Sequence, residues 1–214
     1  AEGINNYTGT ISYQITKIDG RNVMDANSLT VKLDNSKVTF DANKSEMTPA
    51  FTVKYKTETI QIEPEGTNSY SEKIDYEFIG NDSAGTAYLV VTPETDTTIG
   101  GQAFAGSKVL KFTIAPAVKF AASGAAQNVF VNGTALYDGT PKTVADLSNP
   151  VAHPFYIANG ETILNEGEDY ILTYKNNVKA GNATITVTGI GAYEGAKVNT
   201  KMVIAKPIID KSDL

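Results

Sequence analysis

The sequence predicts an all-β chain of tandem β-sandwich modules, and three observations support this fold class. Short runs of alternating apolar and polar residues recur along the chain and are typical of half-buried strands. Gly, Asn, Asp and Pro separate the runs at the spacing of sandwich folds, and no run of about a dozen residues shows the three-to-four spacing of an amphipathic helix. The stretch at 169–195 also recurs in degraded form at 75–92, which indicates an internal repeat.

The repeat divides the 214 residues into four segments. Residues 1–17 match the end of the second repeat and are predicted to be the C-terminal strands of a preceding one. Because a lone hairpin is marginal in water, this remnant is expected to pair with the first module or with a neighbouring chain. Full modules are expected at 18–116 and 117–206, and residues 207–214 would be a linker or the start of another module.

Alternating runs and turn signals place the strands of the first module. These strands are Leu29–Leu33, Lys37–Phe40, Ala50–Tyr55, Glu58–Ile62 and a closing strand within Gly106–Ile114. The recurring core at 75–92 aligns with 169–188 if the first strand carries a two-residue deletion. Residues 93–105 form a Thr/Gly-rich insertion that has no counterpart in the second module.

The second module shows the same signals more clearly. Its predicted strands are Val129–Val131, Phe155–Ile157, Glu161–Leu164, Tyr170–Tyr174 and Ala183–Val187. Asn159-Gly160 favours a two-residue hairpin, because both positions tolerate positive φ. Ala115-Pro116 and Lys206-Pro207 end the modules and are expected to restrict the joints, since proline fixes φ and biases its predecessor to extended backbone.

Composition excludes several classes of function. The net charge of −6 would repel nucleic acids and anionic membranes, and no basic cluster stands out along the sequence. The absence of cysteine excludes disulfides, thiolate metal sites and cysteine nucleophiles. No run approaches the roughly 20 apolar residues of a membrane span, and residues 1–17 do not form a signal peptide. The chain is interpreted as a mature protein or a fragment of a longer one.

Three motifs stand out in the second module, namely YDGTPK at 137–142, DYILTYKNNVKAGNATITVTGIGAYEG at 169–195 and KMVIAKP at 201–207. Together they resemble the bacterial immunoglobulin-like repeat, a tandem module of large surface proteins in Gram-positive bacteria. The match covers 129–206 well, 3–17 in part and 37–116 loosely, because the 93–105 insertion replaces the Gly-x-Gly-x-Tyr-x-Gly segment of the first module. The resemblance implies immunoglobulin-like sandwiches with a spacer, adhesive or accessory role in an extracellular protein, at the cell surface or secreted. It implies no catalytic residues.

Glycines and tyrosines of the repeated stretch are predicted to be structural. Gly181, Gly189 and Gly195 lie between strands, where turns and bulges need conformations that are costly for other residues. Tyr170, Tyr174 and Tyr193 are expected to point their rings inward and their hydroxyls toward backbone carbonyls, as in the tyrosine corner of immunoglobulin sandwiches.

Carbohydrate binding would need exposed aromatic side chains, and the chain has 11 tyrosines but no tryptophan. The candidate ligand-binding residues are the tyrosines outside the repeat core, namely Tyr55, Tyr70, Tyr88 and Tyr156. The alternative for each is burial in a sheet face or isolated exposure, since single exposed aromatics are common.

Calcium is the one cofactor that the loops suggest. Asn81, Asp82 and Asn176-Asn177 occupy equivalent positions in the two repeats, and oxygen-rich loops suit a hard cation. The same residues are also ordinary in tight turns, and no EF-hand spacing is present. The expectation is therefore no cofactor, with calcium as the alternative.

Nothing in the sequence favours catalysis. His153 is the only histidine, and no Gly-x-Ser-x-Gly elbow accompanies it. The acidic clusters lie at turns and strand ends, where solvated charge is expected: Glu63 and Glu65, Glu166, Glu168 and Asp169, and Asp34 and Asp41. Lys142 and Asn199 could form an intramolecular crosslink of the kind that staples some Gram-positive surface sandwiches, although no specific motif supports it.

The leading hypothesis is a non-catalytic segment of a bacterial cell-surface protein that acts as a stalk, spacer or adhesive module. Its partners would be neighbouring repeats of the same polypeptide. The alternative is an accessory module of a secreted carbohydrate-active protein that binds an extracellular glycan or a host or matrix protein.

Overall fold

The computed structural model describes residues 17–18, 20–23, 29–64, 74–94, 98–148 and 153–207. Nearly all regular structure in these residues is β-strand, so the all-β prediction is confirmed. The predicted remnant of a preceding repeat at 1–17 lies outside the described residues except for Lys17, and residues 208–214 lie outside them as well.

Nineteen strands occur in the described residues. The first twelve are β1 (Lys17–Ile18), β2 (Arg21–Val23), β3 (Leu29–Leu33), β4 (Lys37–Thr39), β5 (Phe51–Tyr55), β6 (Glu58–Thr59), β7 (Glu63–Pro64), β8 (Ile74–Ile79), β9 (Gly85–Pro93), β10 (Thr98–Ile99), β11 (Gln102–Ala105) and β12 (Lys108–Ala115). The other seven are β13 (Val129–Val131), β14 (Thr134–Leu136), β15 (Phe155–Asn159), β16 (Thr162–Ile163), β17 (Tyr170–Lys175), β18 (Gly181–Gly189) and β19 (Lys197–Ala205). Two short 3₁₀ helices lie at Val144–Asp146 and Gly191–Tyr193.

The same strand order occurs twice along the chain. The first copy has a three-stranded sheet, β3-β5-β6, and a five-stranded sheet, β4-β12-β9-β8-β7, in which β7 is an extra edge strand next to the four-strand order β4-β12-β9-β8. A second three-stranded sheet, β13-β15-β16, accompanies the order β14-β19-β18-β17. In both four-strand orders the first pair is parallel and the last pair is antiparallel. A further sheet, β1-β2-β11-β10, has no counterpart among the later strands.

The register of the repeated strands removes the deletion that the sequence alignment required. Ile74 pairs with Pro93 in the first copy, and Tyr170 pairs with Gly189 in the second. Strands β8 and β17 each have six residues, and β9 and β18 each have nine. The two-residue deletion was therefore wrong: Ile74, and not Tyr76, corresponds to Tyr170. The shared Asp-Tyr dipeptide misled the alignment.

Contacts divide the chain into two compact units. The first comprises Ala1–Ser36, Thr48–Gly80 and Ala87–Phe112, and the second comprises Lys37–Met47, Asn81–Thr86 and Thr113–Leu214. Among the described residues, each unit contains a buried cluster whose members come from strands of both a three-stranded and a four-stranded order. In the second unit, for example, Val129 and Ile157 share a core with Ile185 and Met202. Immunoglobulin-like modules at 18–116 and 117–206 stay a prediction.

The 93–105 insertion contributes to the core of the first unit. Its strands β10 and β11 form a hairpin through Gly100 and Gly101, which both have positive φ. Phe104 is fully buried, and its ring meets the ring of Tyr55 edge-on at 6.2 Å between centroids. A Cβ atom on Gly100 would lie 2.2 Å from the Tyr55 ring, so glycine is required there. The insertion therefore closes over Tyr55.

The predicted turn at Asn159-Gly160 lies one position later in the structure. Asn159 pairs with Thr162, so Gly160 and Glu161 are the two turn residues. Gly160 has a φ of 62°, which glycine adopts without the steric cost of a side chain.

Candidate functional site

The most tightly organised polar group in the second unit follows strand β14. Asp138 Oδ1 accepts hydrogen bonds from the Thr140 backbone N–H at 2.9 Å and from Thr140 Oγ1 at 2.6 Å, which folds the chain into a tight turn. Lys142 Nζ then donates to Asp138 Oδ2 at 2.6 Å and to Thr140 Oγ1 at 3.1 Å. The three side chains form a closed charge-assisted network.

Asn177, in the loop between β17 and β18, completes this group. The Lys142 backbone N–H donates to the Asn177 carbonyl at 2.7 Å, and Asn177 Nδ2 donates to the Lys142 carbonyl at 2.8 Å. We call Asp138, Thr140, Lys142 and Asn177 the Lys142 clamp. It ties the connection between β14 and β15 to a loop 35 residues later in the chain.

Burial makes these contacts necessary. Lys142 is only 6% exposed, and a buried ammonium without a partner is strongly destabilising. The hydrogen bonds from Lys142 and Thr140 hold the pKa of Asp138 well below its usual range, so the carboxylate stays ionised beside the ammonium. The clamp is therefore a structural ion pair that fixes two loops.

The next residues extend the network toward strand β17. Asp146 Oδ2 accepts hydrogen bonds from the Thr143 backbone N–H at 2.7 Å and from Thr143 Oγ1 at 3.0 Å, and these bonds lower the pKa of Asp146. The Val144 N–H donates to the Tyr174 hydroxyl at 3.3 Å. This hydroxyl accepts from a backbone N–H, whereas the sequence predicted that tyrosine hydroxyls of the repeat would reach carbonyls.

Sequence reasoning missed the clamp, although YDGTPK was recognised as part of the repeat. The spacing of Asp138, Thr140 and Lys142 was the available signal. An aspartate carboxylate can accept a hydrogen bond from the backbone N–H two residues later, and the resulting turn brings the following lysine close to the same carboxylate. Asn177 carried no such signal, since nothing in the local sequence links it to Lys142.

The predicted structural residues occupy constrained positions. Tyr170 is buried in the core, and burial raises the pKa of its hydroxyl to about 12. Tyr193 stacks on Phe120 at 6.2 Å, and its hydroxyl accepts a hydrogen bond from Asn159 Nδ2 at 3.3 Å. These two partners of Tyr193 are a ring and a side-chain amide, and not the backbone carbonyl that the corner motif predicts.

The three glycines differ in the reason that each position needs glycine. Gly181 has a φ of 128° and open space around a built Cβ, so its constraint is conformational. A Cβ on Gly189 would lie 2.1 Å from the Tyr193 carbonyl oxygen, and one on Gly195 would lie 2.5 Å from the Ala84 Cβ. Close packing therefore requires glycine at position 189, while close packing and a φ of 79° both favour it at position 195.

The four candidate ligand-binding tyrosines do not come together as one site. Tyr55 is 8% exposed within the first core, which does not fit a surface platform. Tyr88 is 40% exposed on β9, where it pairs with Ile79. Tyr156 lies on β15 in the second unit, and Tyr70 lies outside the described residues.

Tyr156 belongs to an aromatic pair that the sequence did not reveal. Phe130 is its cross-strand partner, and the two rings stack with centroids 4.6 Å apart and planes 17° from parallel. The His153 ring meets Tyr156 edge-on at 6.4 Å, and the His153 backbone has a φ of 65°. All three side chains remain at least partly exposed. They form a candidate platform for an apolar or sugar ring.

The calcium candidates have turn and packing roles. Asn81 is buried, and its carbonyl accepts a hydrogen bond from the Met47 N–H at 2.8 Å. Asp82 is exposed and accepts from Ser83 Oγ at 3.2 Å, while Asn177 belongs to the Lys142 clamp. In the described part of the chain, no three or more His, Asp or Glu side chains are grouped to hold a metal.

The remaining candidates are also placed apart. Lys142 Nζ contacts Asp138 and Thr140, whereas Asn199 Oδ1 accepts from Thr186 Oγ1 on the neighbouring strand at 2.8 Å. The acidic side chains at 166–169 and 34–41 include turn caps. Asp169 accepts from the Asn165 N–H at 2.8 Å, and Asp41 accepts from the Asn43 N–H at 3.0 Å.

No protein-family model and no curated protein matches this chain. Across the residues that the structure describes, no helix combines the length and the apolar character needed to cross a membrane.

Proposed function

We propose that this chain is a non-catalytic segment of a bacterial cell-surface protein, in which immunoglobulin-like modules act as a stalk or spacer. The observation that carries the proposal is the parallel pairing of β14 with β19, the last strand of the second unit. Their register joins Thr134 to Val203, Ala135 to Ile204 and Leu136 to Ala205.

Parallel pairing decides how such a strand pair resists tension. In a stalk, tension that reaches β14 pulls at its first residue, while tension on β19 pulls at its last residue. Because the strands are parallel, the two forces act in opposite directions along the pair and load its hydrogen bonds together in shear. Evenly spaced parallel hydrogen bonds share such a load, whereas antiparallel neighbours pulled at adjacent ends would open one bond at a time.

Contacts next to β14 reinforce this pairing. The Tyr137 N–H donates to the Ala205 carbonyl at 2.8 Å and extends the ladder by one bond. The Lys142 clamp then holds the following residues to the loop after β17, so that slip of β14 would also break the ion pair between the buried Lys142 and the exposed Asp138. The earlier strands β4 and β12 are paired in the same parallel sense, and the Phe40 N–H donates to the Ala115 carbonyl at 2.8 Å.

Single-molecule force spectroscopy with the chain held at its two ends tests the proposal. Tyr137→Pro removes the N–H that bonds Ala205, and we expect it to lower the unfolding force of the second unit. Tyr137→Ala is the matched control, because it removes the same ring and keeps the N–H. Equal unfolding forces for Tyr137→Pro and Tyr137→Ala would contradict a mechanical role for this pairing.

A ligand-binding accessory module is the second candidate function, and the stacked Phe130–Tyr156 pair favours it. Aromatic faces that are partly exposed bind the apolar faces of sugars as well as apolar side chains, so the partner would be an extracellular glycan or a host or matrix protein. A glycan array and a matrix-protein panel should show saturable binding that Tyr156→Ala abolishes and Tyr88→Ala preserves. Binding that both variants retain would remove the platform from consideration.

A further inference from the structure

The outward face of strands β17, β18 and β19 differs from the rest of this acidic chain. Ala183, Ile185 and Val187 on β18 are fully buried, so the alternating positions point away from the core. The outward positions of the three strands are Ile171, Thr173, Lys175, Asn182, Thr184, Thr186, Thr188, Lys197, Asn199, Lys201 and Val203. We call this surface the lysine–threonine face.

Strand register brings its lysines together. Thr184 pairs with Lys175 on one side and with Lys201 on the other, which places these two lysines in one row across β18. With strands about 4.8 Å apart, the two Cα atoms are roughly 10 Å apart. Lys197 lies four residues before Lys201 on the same strand, or about 14 Å away at roughly 3.4 Å per residue. The three cationic groups therefore span one sheet surface.

Charge on this face is opposite in sign to that of the whole chain. The outward positions hold three lysines and no aspartate or glutamate, while the chain carries a net charge of −6. All three lysines are exposed, and among the described residues none of them has an ion-pair partner. Acidic side chains at equivalent positions of the first unit show that this is a property of one copy, since Asp75 and Glu77 point outward from β8.

Hydroxyl and amide groups fill the space between the lysines. Thr184, Thr186 and Thr188 repeat along β18 at about 6.8 Å intervals, and Thr173 pairs with Thr186. The Thr186 hydroxyl donates to Asn199 Oδ1 at 2.8 Å, which fixes the orientation of that amide. Short β-branched side chains project little from the sheet, and they lose little rotamer freedom when a ligand covers them.

We propose that the lysine–threonine face binds a polysaccharide that carries carboxylate or sulfate groups along its chain. Three lysines supply charge complementarity, and the threonine and asparagine side chains offer donors and acceptors to sugar hydroxyls. Nucleic acid fits less well, because the outward positions hold no aromatic side chain on which a base could stack. Polysaccharide binding depends on the charge of one sheet face and not on the mechanical role of the proposed stalk. The binding proposal and the stalk proposal can therefore fail independently.

Titration calorimetry with polygalacturonate and with heparin as probes tests the proposal, and neutral dextran is the uncharged comparison. The triple variant Lys175→Gln, Lys197→Gln, Lys201→Gln should weaken binding by at least about tenfold and flatten its dependence on salt. A matched variant removes the same charge from exposed lysines elsewhere, with Lys44→Gln, Lys56→Gln and Lys119→Gln, and should bind as the unmodified chain does. Amide chemical shifts of Thr184, Thr186 and Thr188 should move on titration.

Four results would overturn the proposal. They are no binding to either acidic probe, equal loss of affinity in the two triple variants, equal binding of dextran, and tighter binding of a single-stranded oligonucleotide than of either polysaccharide. Circular dichroism of the triple variants verifies that they are folded, and exposed lysine-to-glutamine changes are expected to leave the spectrum unchanged.

Discussion

Lys142 shows how one residue can determine the conformation of two loops. Its ammonium is almost completely removed from water, and its hydrogen-bond partners Asp138 and Thr140 lie four and two residues earlier in the chain. The backbone of the same residue bonds Asn177 through both its N–H and its carbonyl. The side chain and the two backbone polar groups of one residue thus couple a local turn to a distant loop.

Low pH should weaken the Lys142 clamp and so lower the stability of the folded chain, and protonation of Asp138 should account for part of this loss. The pKa of Asp138 in the folded chain lies below its ordinary value of 3.8, so its contribution to stability is present above that pH and is lost as the pH falls toward the folded pKa. Asp138→Asn should lower the unfolding midpoint at pH 7 and show a smaller further loss between pH 4 and pH 2. Thermal unfolding over this range measures both effects.

Asp146 has a lowered pKa as well, so Asp138→Asn should retain some sensitivity to acid. Asp82→Asn is a suitable control, since Asp82 is exposed and its side chain accepts a hydrogen bond from its neighbour Ser83. Identical losses below pH 4 in the unmodified chain and in Asp138→Asn would contradict the assigned role of Asp138.

Gly189 and Gly191 provide a second test at the residue scale. A Cβ at Gly189 would collide with the Tyr193 carbonyl oxygen, whereas Gly191 has a φ of 56° and its nearest contact is at 3.4 Å. Asparagine tolerates positive φ, so Gly191→Asn should cost less than about 1 kcal/mol. Gly189→Asn should cost about 2–4 kcal/mol because backbone must move. Urea unfolding compares the two, and equal costs would contradict the packing explanation.

Individual strands were the part of the fold that the sequence predicted best. Leu29–Leu33 and Val129–Val131 were predicted with the bounds that the structure has, because their alternation or apolar character is local. The hairpin within 93–105 was missed, since its strands have only two and four residues and show no period. Tyr55 was considered a surface candidate because the segment that buries it lies about 50 residues later.

Candidate sites were harder to predict than strands, because they depend on contacts between distant residues. The Lys142 clamp needs Asn177, the aromatic pair needs β13 beside β15, and the lysine–threonine face needs the register of three strands. Alternation predicts that a position faces outward, but only pairing decides which outward residues become neighbours. The statement that no basic cluster exists was true of the linear sequence and is wrong for the folded sheet.

The hairpin of β10 and β11 should be essential to the first core. Phe104 is fully buried there, so Phe104→Ala should destabilise the first unit by about 3–5 kcal/mol through lost contacts and a cavity. Val109→Ala on β12 is the control, because Val109 is 54% exposed and should cost roughly 0.5 kcal/mol or less. Urea unfolding followed by tyrosine fluorescence measures both, and a mild Phe104→Ala phenotype would show that the insertion is dispensable.

At the scale of the whole molecule, the described residues include two buried clusters, and each cluster contains an inner strand on which every second side chain is buried. These strands are β9, with Ala87, Leu89 and Val91, and β18, with Ala183, Ile185 and Val187. Each lies between two neighbours in its sheet, while β6 and β16 lie at the edges of theirs.

Rates of amide hydrogen exchange should differ between these inner strands and the edge strands. Amides of β9 and β18 should exchange slowest, because their opening requires the largest loss of buried contacts, and amides of β6 and β16 should exchange faster. Exchange measured by NMR at neutral pH, corrected for intrinsic rates, gives the order. Protection in β16 equal to that in β18 would contradict it.

The Lys142 clamp also has a consequence for repeated use of the chain. Its four members are held by hydrogen bonds and charge alone, and the chain has no cysteine to oxidise. A unit that is pulled open in the proposed stalk can therefore regain the clamp by refolding, with no oxidant to reform a disulfide. We therefore expect the Lys142 clamp to reform after each cycle of extension and release, in reducing and oxidising surroundings alike.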